Sequence, residues 1–428
     1  MAGLAALLLL VCAAAIARAQ SAADFDGDGR GNSVDNCVYA ANASQLDASL
    51  PPDAVGDACT CGDVDEDGRV GLLDWVVLAR ALAQLEPGIG DPAKCSVIGG
   101  SMDCDALDAN RVRAALAGLT ALEPVCRARV GAGELPVRMA VAGDSITRGF
   151  AASCECNLGF TCLLQCAFGG VEQPQYSWFD GSASSVFALL DRYRVFDAAI
   201  AANSAAAKSG ARMRGGSDSF QIQAGRILAQ SPIPDLVVVL LGGNDICSRD
   251  CTLPGLCSSP LFSDAEWREA IGLGLTALAA GLPETATVYL GSVPRVQDLY
   301  AAAQAKEDLE TDVECDAVWV AATVCRIATN TFTTTFGETQ TARLLAIAER
   351  QRRYNEILRE EAAAYDSNAN GLNPRGIRVT AEYTDEFTPS VGTFVFGPND
   401  INGSDCFHPS LAGQNAIAER LWRNSPVR

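Results

Sequence analysis

The chain has 428 residues, 49% of them hydrophobic, and a formal charge of −20 at pH 7. That length allows one large core and a smaller one, so two domains are expected. An acidic excess of this size excludes electrostatic capture of nucleic acid or of an anionic membrane surface, both of which need clustered lysine and arginine.

Residues 1–19 form an apolar run through Leu4, Leu7, Leu8, Leu9, Leu10 and Val11 that ends in Ala17-Arg18-Ala19. The small-x-small ending predicts a secretory signal removed before Gln20. The run is short for a membrane span, and no later segment reaches the roughly 18 apolar residues a span needs, so no stable membrane span is expected. One of the 17 cysteines, Cys12, lies in this leader. The even number left suits disulfides in an oxidising compartment, extracellular or periplasmic. Cys37, Cys59, Cys61, Cys95, Cys104 and Cys126 are expected to bridge among themselves, separately from the later ten.

Two acidic loops follow with the same internal spacing. One runs Asp24-x-Asp26-x-Asp28-Gly29-Arg30 and closes at Asp35; the other runs Asp63-x-Asp65-x-Asp67-Gly68-Arg69 and closes at Asp74. Side-chain oxygens at positions 1, 3, 5 and 12, a backbone carbonyl at position 7 (Arg30, Arg69) and glycine at position 6 are what a seven-ligand Ca²⁺ loop requires. The stretch Val70–Leu85 repeats at Cys104–Leu119, pairing Leu73 with Leu107, Asp74 with Asp108 and Leu82 with Leu116, and both copies have helical apolar spacing. This loop-helix duplication, over residues 61–122, resembles a dockerin-type, EF-hand-like module. Asp35-Asn36-Cys37 and Gly56-Asp57-Ala58-Cys59 make residues 22–60 resemble a thrombospondin type 3 repeat. The resemblance implies structural calcium and, for a dockerin, a cohesin-like partner. Val97, Gly99 and Ser101 replace the first three ligands in the second copy, which counts against that partner. Residues 123–135, with Pro124, Gly131 and Gly133, read as a linker.

From residue 136 to 428 short apolar runs alternate with helical stretches. The strands are expected at Val137–Val141, Phe196–Ala201, Leu236–Leu241, Thr287–Leu290 and Ile377–Val379, with long helices over Ala265–Ala280 and Leu344–Ala364. That order predicts an α/β domain with a mainly parallel sheet covered on both faces and reactive groups on loops at the carboxyl ends of its strands.

Three such loops carry unusual residues. The first strand runs into Gly143-Asp144-Ser145-Ile146-Thr147 and the third into Gly242-Gly243-Asn244-Asp245. The last loop holds Asp405-Cys406-Phe407-His408. A serine hydroxyl needs an adjacent base to become a nucleophile, and His408 is the only histidine in the chain. Asp405, three residues earlier, is placed to fix the tautomer of its ring. With Ser209-Gly210-Ala211 between them, these blocks resemble, in order, those of the SGNH/GDSL hydrolases, and Ser177-Trp178 and Asp405-Cys406-Phe407-His408 resemble its phospholipase-B-like branch. The resemblance implies a three-layer α/β/α, flavodoxin-like fold and a catalytic Ser145–His408–Asp405 triad. It also implies an oxyanion hole of the Ser145 and Gly210 N–H groups and the Asn244 amide, with no cofactor for the chemistry. Acyl-lipid or lysophospholipid esters are the first expectation for substrate, because a helical insertion from Val296 to Ala364 could wall an acyl channel. Acetylated polysaccharide is the second, from the dockerin-like module. A calcium-dependent adhesion or scaffold protein would need a broken triad.

Overall fold

The computed structural model describes residues 28–30, 34–38, 40–49, 52, 55–83, 85, 89, 91–97, 104–119, 122, 125–126, 135–156, 171–247, 261–322, 324–333, 338–382, 396–423 and 425. The chain divides between Leu135 and Pro136 into two compact units, to the first of which the short stretch Asp191–Ala199 is also assigned.

In the first unit the repeated pattern forms two helices of 11 residues, α1 (Leu72–Leu82) and α2 (Ala106–Leu116). Each starts the same way. Asp74 accepts a hydrogen bond from the Gly71 N–H at 2.6 Å, and Asp108 accepts one from the Asp105 N–H at 3.0 Å, so in both copies a carboxylate in the third helical position satisfies the N–H ahead of the first turn. Leu78, Ala109 and Val112 then pack with Val64 into a small core around Cys95. A core of this size is reinforced by three disulfides, Cys37–Cys59, Cys61–Cys126 and Cys95–Cys104, which use all six cysteines of the region. Within the stretch read as a linker, Val125 pairs with Thr60 in an antiparallel bridge and Cys126 carries the bond to Cys61, so these two residues belong to the first unit.

The second unit is built on five parallel strands: β1 (Arg138–Gly143), β2 (Ala201–Asn203), β3 (Leu236–Leu240), β4 (Thr287–Leu290) and β5 (Arg378–Ala381). Their order is β2-β1-β3-β4-β5. Ala140, Ala142, Val237, Val239 and Val288 point into one hydrophobic cluster. The alternate residues Val141, Val238 and Tyr289 are also buried, so both faces of the sheet are covered. Helices α3 (Phe220–Leu228), α4 (Gly243–Cys247), α5 (Asp264–Gly281), α6 (Leu299–Leu309), α7 (Cys315–Ala322), α8 (Gln340–Asp366) and α9 (Leu411–Arg423) surround it. This is the α/β architecture expected from the alternation of runs.

The second strand forms later than expected. Phe196 lies in a turn closed by its N–H donating to the Tyr193 carbonyl, and the Asp197 carboxylate accepts from the Ala199 N–H, a local turn that competes with extended backbone. Pairing with β1 therefore begins only at Ala201. No helix among the described residues is long and apolar enough to cross a membrane.

Candidate active site

In a sheet ordered 2-1-3-4-5 the crevice opens where the chain reverses direction, between β1 and β3. Ser145 follows β1 and Asn244 follows β3, one on each side of that crevice. The turn after β1 is tight because position 143 is glycine: a Cβ there would lie 2.1 Å from the Thr147 hydroxyl oxygen. Gln223, from α3, holds this strand end from both sides, accepting from the Gly143 N–H at 2.8 Å and donating to its carbonyl at 3.0 Å. Asp144 accepts from the Ile146 N–H at 2.9 Å, and burial pushes its pKa up to about 6.

The loop before α9 brings Asp405 and His408. The Asp405 carboxylate accepts from the N–H groups of Phe407 (2.9 Å) and His408 (3.0 Å), folding the loop back on itself, and its other oxygen lies 2.6 Å from His408 Nδ1. His408 Nε2 lies 2.8 Å from Ser145 Oγ. An ionised carboxylate at Nδ1 requires the proton there, which leaves Nε2 as the acceptor for the serine hydroxyl. Burial alone would raise the Asp405 pKa, but the His408 ring and the two N–H donors outweigh it and hold the carboxyl below its ordinary value. The ring is packed by Phe150 (4.5 Å between centroids) and by the edge of Phe407 (5.0 Å). Trp319 Nε1 donates to the Asp405 carbonyl at 3.0 Å, the Cys315–Cys406 disulfide anchors the loop to α7, and Gly403 passes so close to Glu155 that a Cβ would lie 2.0 Å from its carbonyl oxygen.

The third part is a set of donors. Asn244 donates from Nδ2 to the Ala211 carbonyl at 3.0 Å, which orients the amide and leaves its second hydrogen available. The Lys208 N–H donates to the Gly143 carbonyl, so the segment carrying Gly210 is tied at one end to β1 and at the other to Asn244. The backbone N–H groups of Ser145 and Gly210 have no partner among the described residues. Asp245 fixes the same segment by accepting from the N–H groups of Met213 and Arg214, and burial pushes its pKa up to about 7. Ser145 and Asn244 share a cavity of about 20 Å³ with Val296, Leu299, Phe396 and Phe407. Two of these walls, Val296 and Leu299, come from the start of the helical insertion. The groups therefore suffice for acyl transfer: a hydroxyl beside an imidazole, a carboxylate behind it, and free donors for a developing oxyanion.

The calcium-loop residues are placed only in part. Asp24 and Asp26 lie outside the described residues. Asp28 accepts from the N–H groups of Arg30 and Asn42, and one oxygen of Asp35 is buried without a hydrogen-bond partner among the described residues, as a cation ligand would be. In the second loop Asp63, Asp65 and Asp67 bring carboxylate oxygens within 4.8 Å of one another, a donor set that fits a hard cation. The oxygens of Asp74 accept from the N–H groups of Val64, Asp65 and Gly71. Lys94 Nζ lies 3.2 Å from one oxygen of Asp63. Arg69, like Arg30, uses its guanidinium to donate to a backbone carbonyl, Ala48 here and Ala43 there.

The residues missed by the sequence reading are Gln223, Phe150, Phe396 and Trp319. Each acts through partners far along the chain, and none belongs to a local motif.

Comparison with known proteins adds a family. The model of the GDSL-like Lipase/Acylhydrolase family matches residues 141–416, and that of the thrombospondin type 3 repeat matches residues 22–45. No curated protein matches the chain. Among solved structures, an active-site mutant of a family two carbohydrate esterase from Clostridium thermocellum is 16% identical over 68% of this chain and 64% of that one, with a TM-score of 0.33. A protein from Lactobacillus plantarum is 17% identical over 66% of this chain and 93% of that one, with a TM-score of 0.30. The family match runs from β1 through the loop that carries His408 into α9, and the chain accordingly belongs to the GDSL-like lipase/acylhydrolase family and is an ester hydrolase.

Proposed function

We propose that this chain hydrolyses carboxylic esters of short acyl groups through Ser145, His408 and Asp405. The observation that carries this reading is the continuous path from Asp405 to His408 Nδ1 (2.6 Å) and from Nε2 to Ser145 Oγ (2.8 Å), ending at a cavity that also holds Asn244. Ser145 Oγ attacks the carbonyl carbon while its proton passes to His408 Nε2. The oxyanion is met by the N–H groups of Ser145 and Gly210 and by Asn244. Nε2 returns the proton to the departing alcohol, and water then cleaves the acyl-serine by the same steps. Because His408 must reach the leaving oxygen, the alcohol lies on its side. The acyl group takes the apolar cavity beside Ser145.

The small size of that cavity favours acyl groups nearer acetyl than the long chains of membrane lipids. The alcohol is open to two readings: an acetylated carbohydrate, or a lysolipid of short acyl length. A panel of p-nitrophenyl esters tests the acyl side, with kcat/KM expected to peak between acetyl and butanoyl and to fall steeply beyond. A maximum at palmitoyl would favour the acyl-lipid reading, and a Ser145→Ala protein that keeps its activity would end the serine mechanism.

The chain is further read as exported, the leader being removed before Gln20; the several disulfides support this. Calcium is assigned to the N-terminal loops, held by Asp24, Asp26, Asp28, Asp35 and the Arg30 carbonyl in one and by Asp63, Asp65, Asp67, Asp74 and the Arg69 carbonyl in the other. Asp74 also holds the backbone of the second loop. Bound there, the ion would cross-link a loop of like charges.

A further inference from the structure

A second cavity, of about 50 Å³, is walled by Leu240, Val293, Pro294, Phe396, Ile417 and Leu421. Pro294 and Phe396 stand in its wall and in that of the cavity at Ser145. Phe396 is 6% exposed and shared by both walls, so its side chain separates the two spaces. The polar groups at the rear cavity are already engaged. Glu382 accepts from Arg420 and from the Ser292 N–H, Arg295 pairs with Asp298, and Gln351 donates to the Val293 carbonyl. Only Gln351 Oε1 is buried without a donor among the described residues, a corner that one water can satisfy. The space therefore suits hydrocarbon and offers nothing to a charged group.

We propose that this rear cavity is a latent acyl subsite closed by Phe396, and that the Phe396 ring sets the longest acyl chain the enzyme accepts. The proposal rests on ester hydrolysis at Ser145. An acyl chain bonded to Ser145 that fills the front cavity meets the Phe396 ring, and the space continues behind it. Chains that stop at the ring are held; longer ones must displace a buried aromatic side chain. Without the ring the two cavities join, and each methylene newly buried should multiply kcat/KM by roughly four.

The test is the ratio of kcat/KM on octanoyl to that on acetyl p-nitrophenyl ester. In Phe396→Ala it should rise about tenfold or more, and in Phe396→Leu, which carries the test if the alanine variant does not fold, by about threefold. Adding Ile417→Trp to either variant refills the rear cavity and should return the ratio towards that of the unmutated enzyme. A ratio unchanged in both Phe396 variants while acetyl ester is still hydrolysed overturns the partition, as does a raised ratio that Ile417→Trp leaves in place. An unmutated enzyme that hydrolyses no ester overturns the reading of Ser145 itself, a distinct outcome.

Discussion

In the proposed mechanism His408 has no substitute, because the chain has no second histidine. His408→Ala and Ser145→Ala should each reduce kcat/KM about as far as the double variant does, since a nucleophile and its base act as a unit and their losses do not add. Asn244→Ala removes one oxyanion donor and should slow turnover by roughly 10²–10³-fold with the melting temperature little changed; a loss below about tenfold would make Asn244 a turn residue. These residues were legible in the sequence because each sits in a short motif just after a strand or in the last loop. Gln223 was not, because its partner Gly143 lies 80 residues away and a glutamine on an amphipathic helix looks like any solvated one. Phe150 and Phe396 were not either, because they meet the site across a long stretch of chain. The buried Asp144 has a consequence for pH. With its folded pKa raised from 3.8 to about 6, the native state holds a proton that the unfolded chain has already released, so its effect on stability is most favourable below about pH 4 and is lost as pH rises through 6. Asp144→Asn keeps an acceptor for the Ile146 N–H and should lessen the fall in unfolding free energy between pH 4 and 7, measured by urea titration. An unchanged slope would mean that Asp144 is already ionised in the native protein.

At the scale of elements, the carboxyl ends of β1 and β3 were legible because the apolar runs Met139–Ala142 and Leu236–Leu241 each stop at a glycine, Gly143 and Gly242. β2 was placed too early because Phe196 and Ile200 supply the right residue types, while Asp197 between them turns the chain. The disulfides that fix the site were legible only as a parity. Cys247–Cys325 ties α4, which carries Asn244, to a residue 78 positions on, and Cys315–Cys406 ties α7 to the loop of Asp405 and His408 across 91. Closing loops of that length is worth about 4–5 kcal/mol in the chain-entropy model, though removing a native bridge typically costs 2–5. The second bridge has a further role, because Cys406 stands between Asp405 and His408 with a left-handed φ of 52°. Replacing Cys315 and Cys406 together by alanine should lower the melting temperature and reduce kcat more than it raises KM, since the loss falls on the alignment of the base rather than on the acyl cavity. Equal stability with unimpaired kcat would show that the hydrogen bonds of Asp405 and Trp319 hold the loop unaided.

For the molecule as a whole, each unit has a hydrophobic cluster of its own, one around Leu78 and Val112 and one on the five-stranded sheet. Beside the small one in the chain, next to Val64 and Trp75, Asp63 and Asp74 are buried. Burial raises the pKa of both, although Lys94 works against this at Asp63 and backbone N–H groups do so at Asp74. Carboxylates in that position favour a bound cation, whereas Ser145, Asn244, Asp405 and His408 all belong to the other unit. Loops of this kind generally bind Ca²⁺ with dissociation constants near 10⁻³ M, so 10 mM Ca²⁺ should stabilise the first unit by about 1.4 kcal/mol per site over the chelated protein. A chelator should therefore lower the melting temperature of the first unit, and Asp63→Asn should remove most of the response of the second loop, while hydrolysis of acetyl ester at 25 °C continues at its former rate. Immediate loss of turnover on chelation, with the circular dichroism of the α/β unit unchanged, would place a metal ion in the chemistry and replace the serine mechanism proposed above.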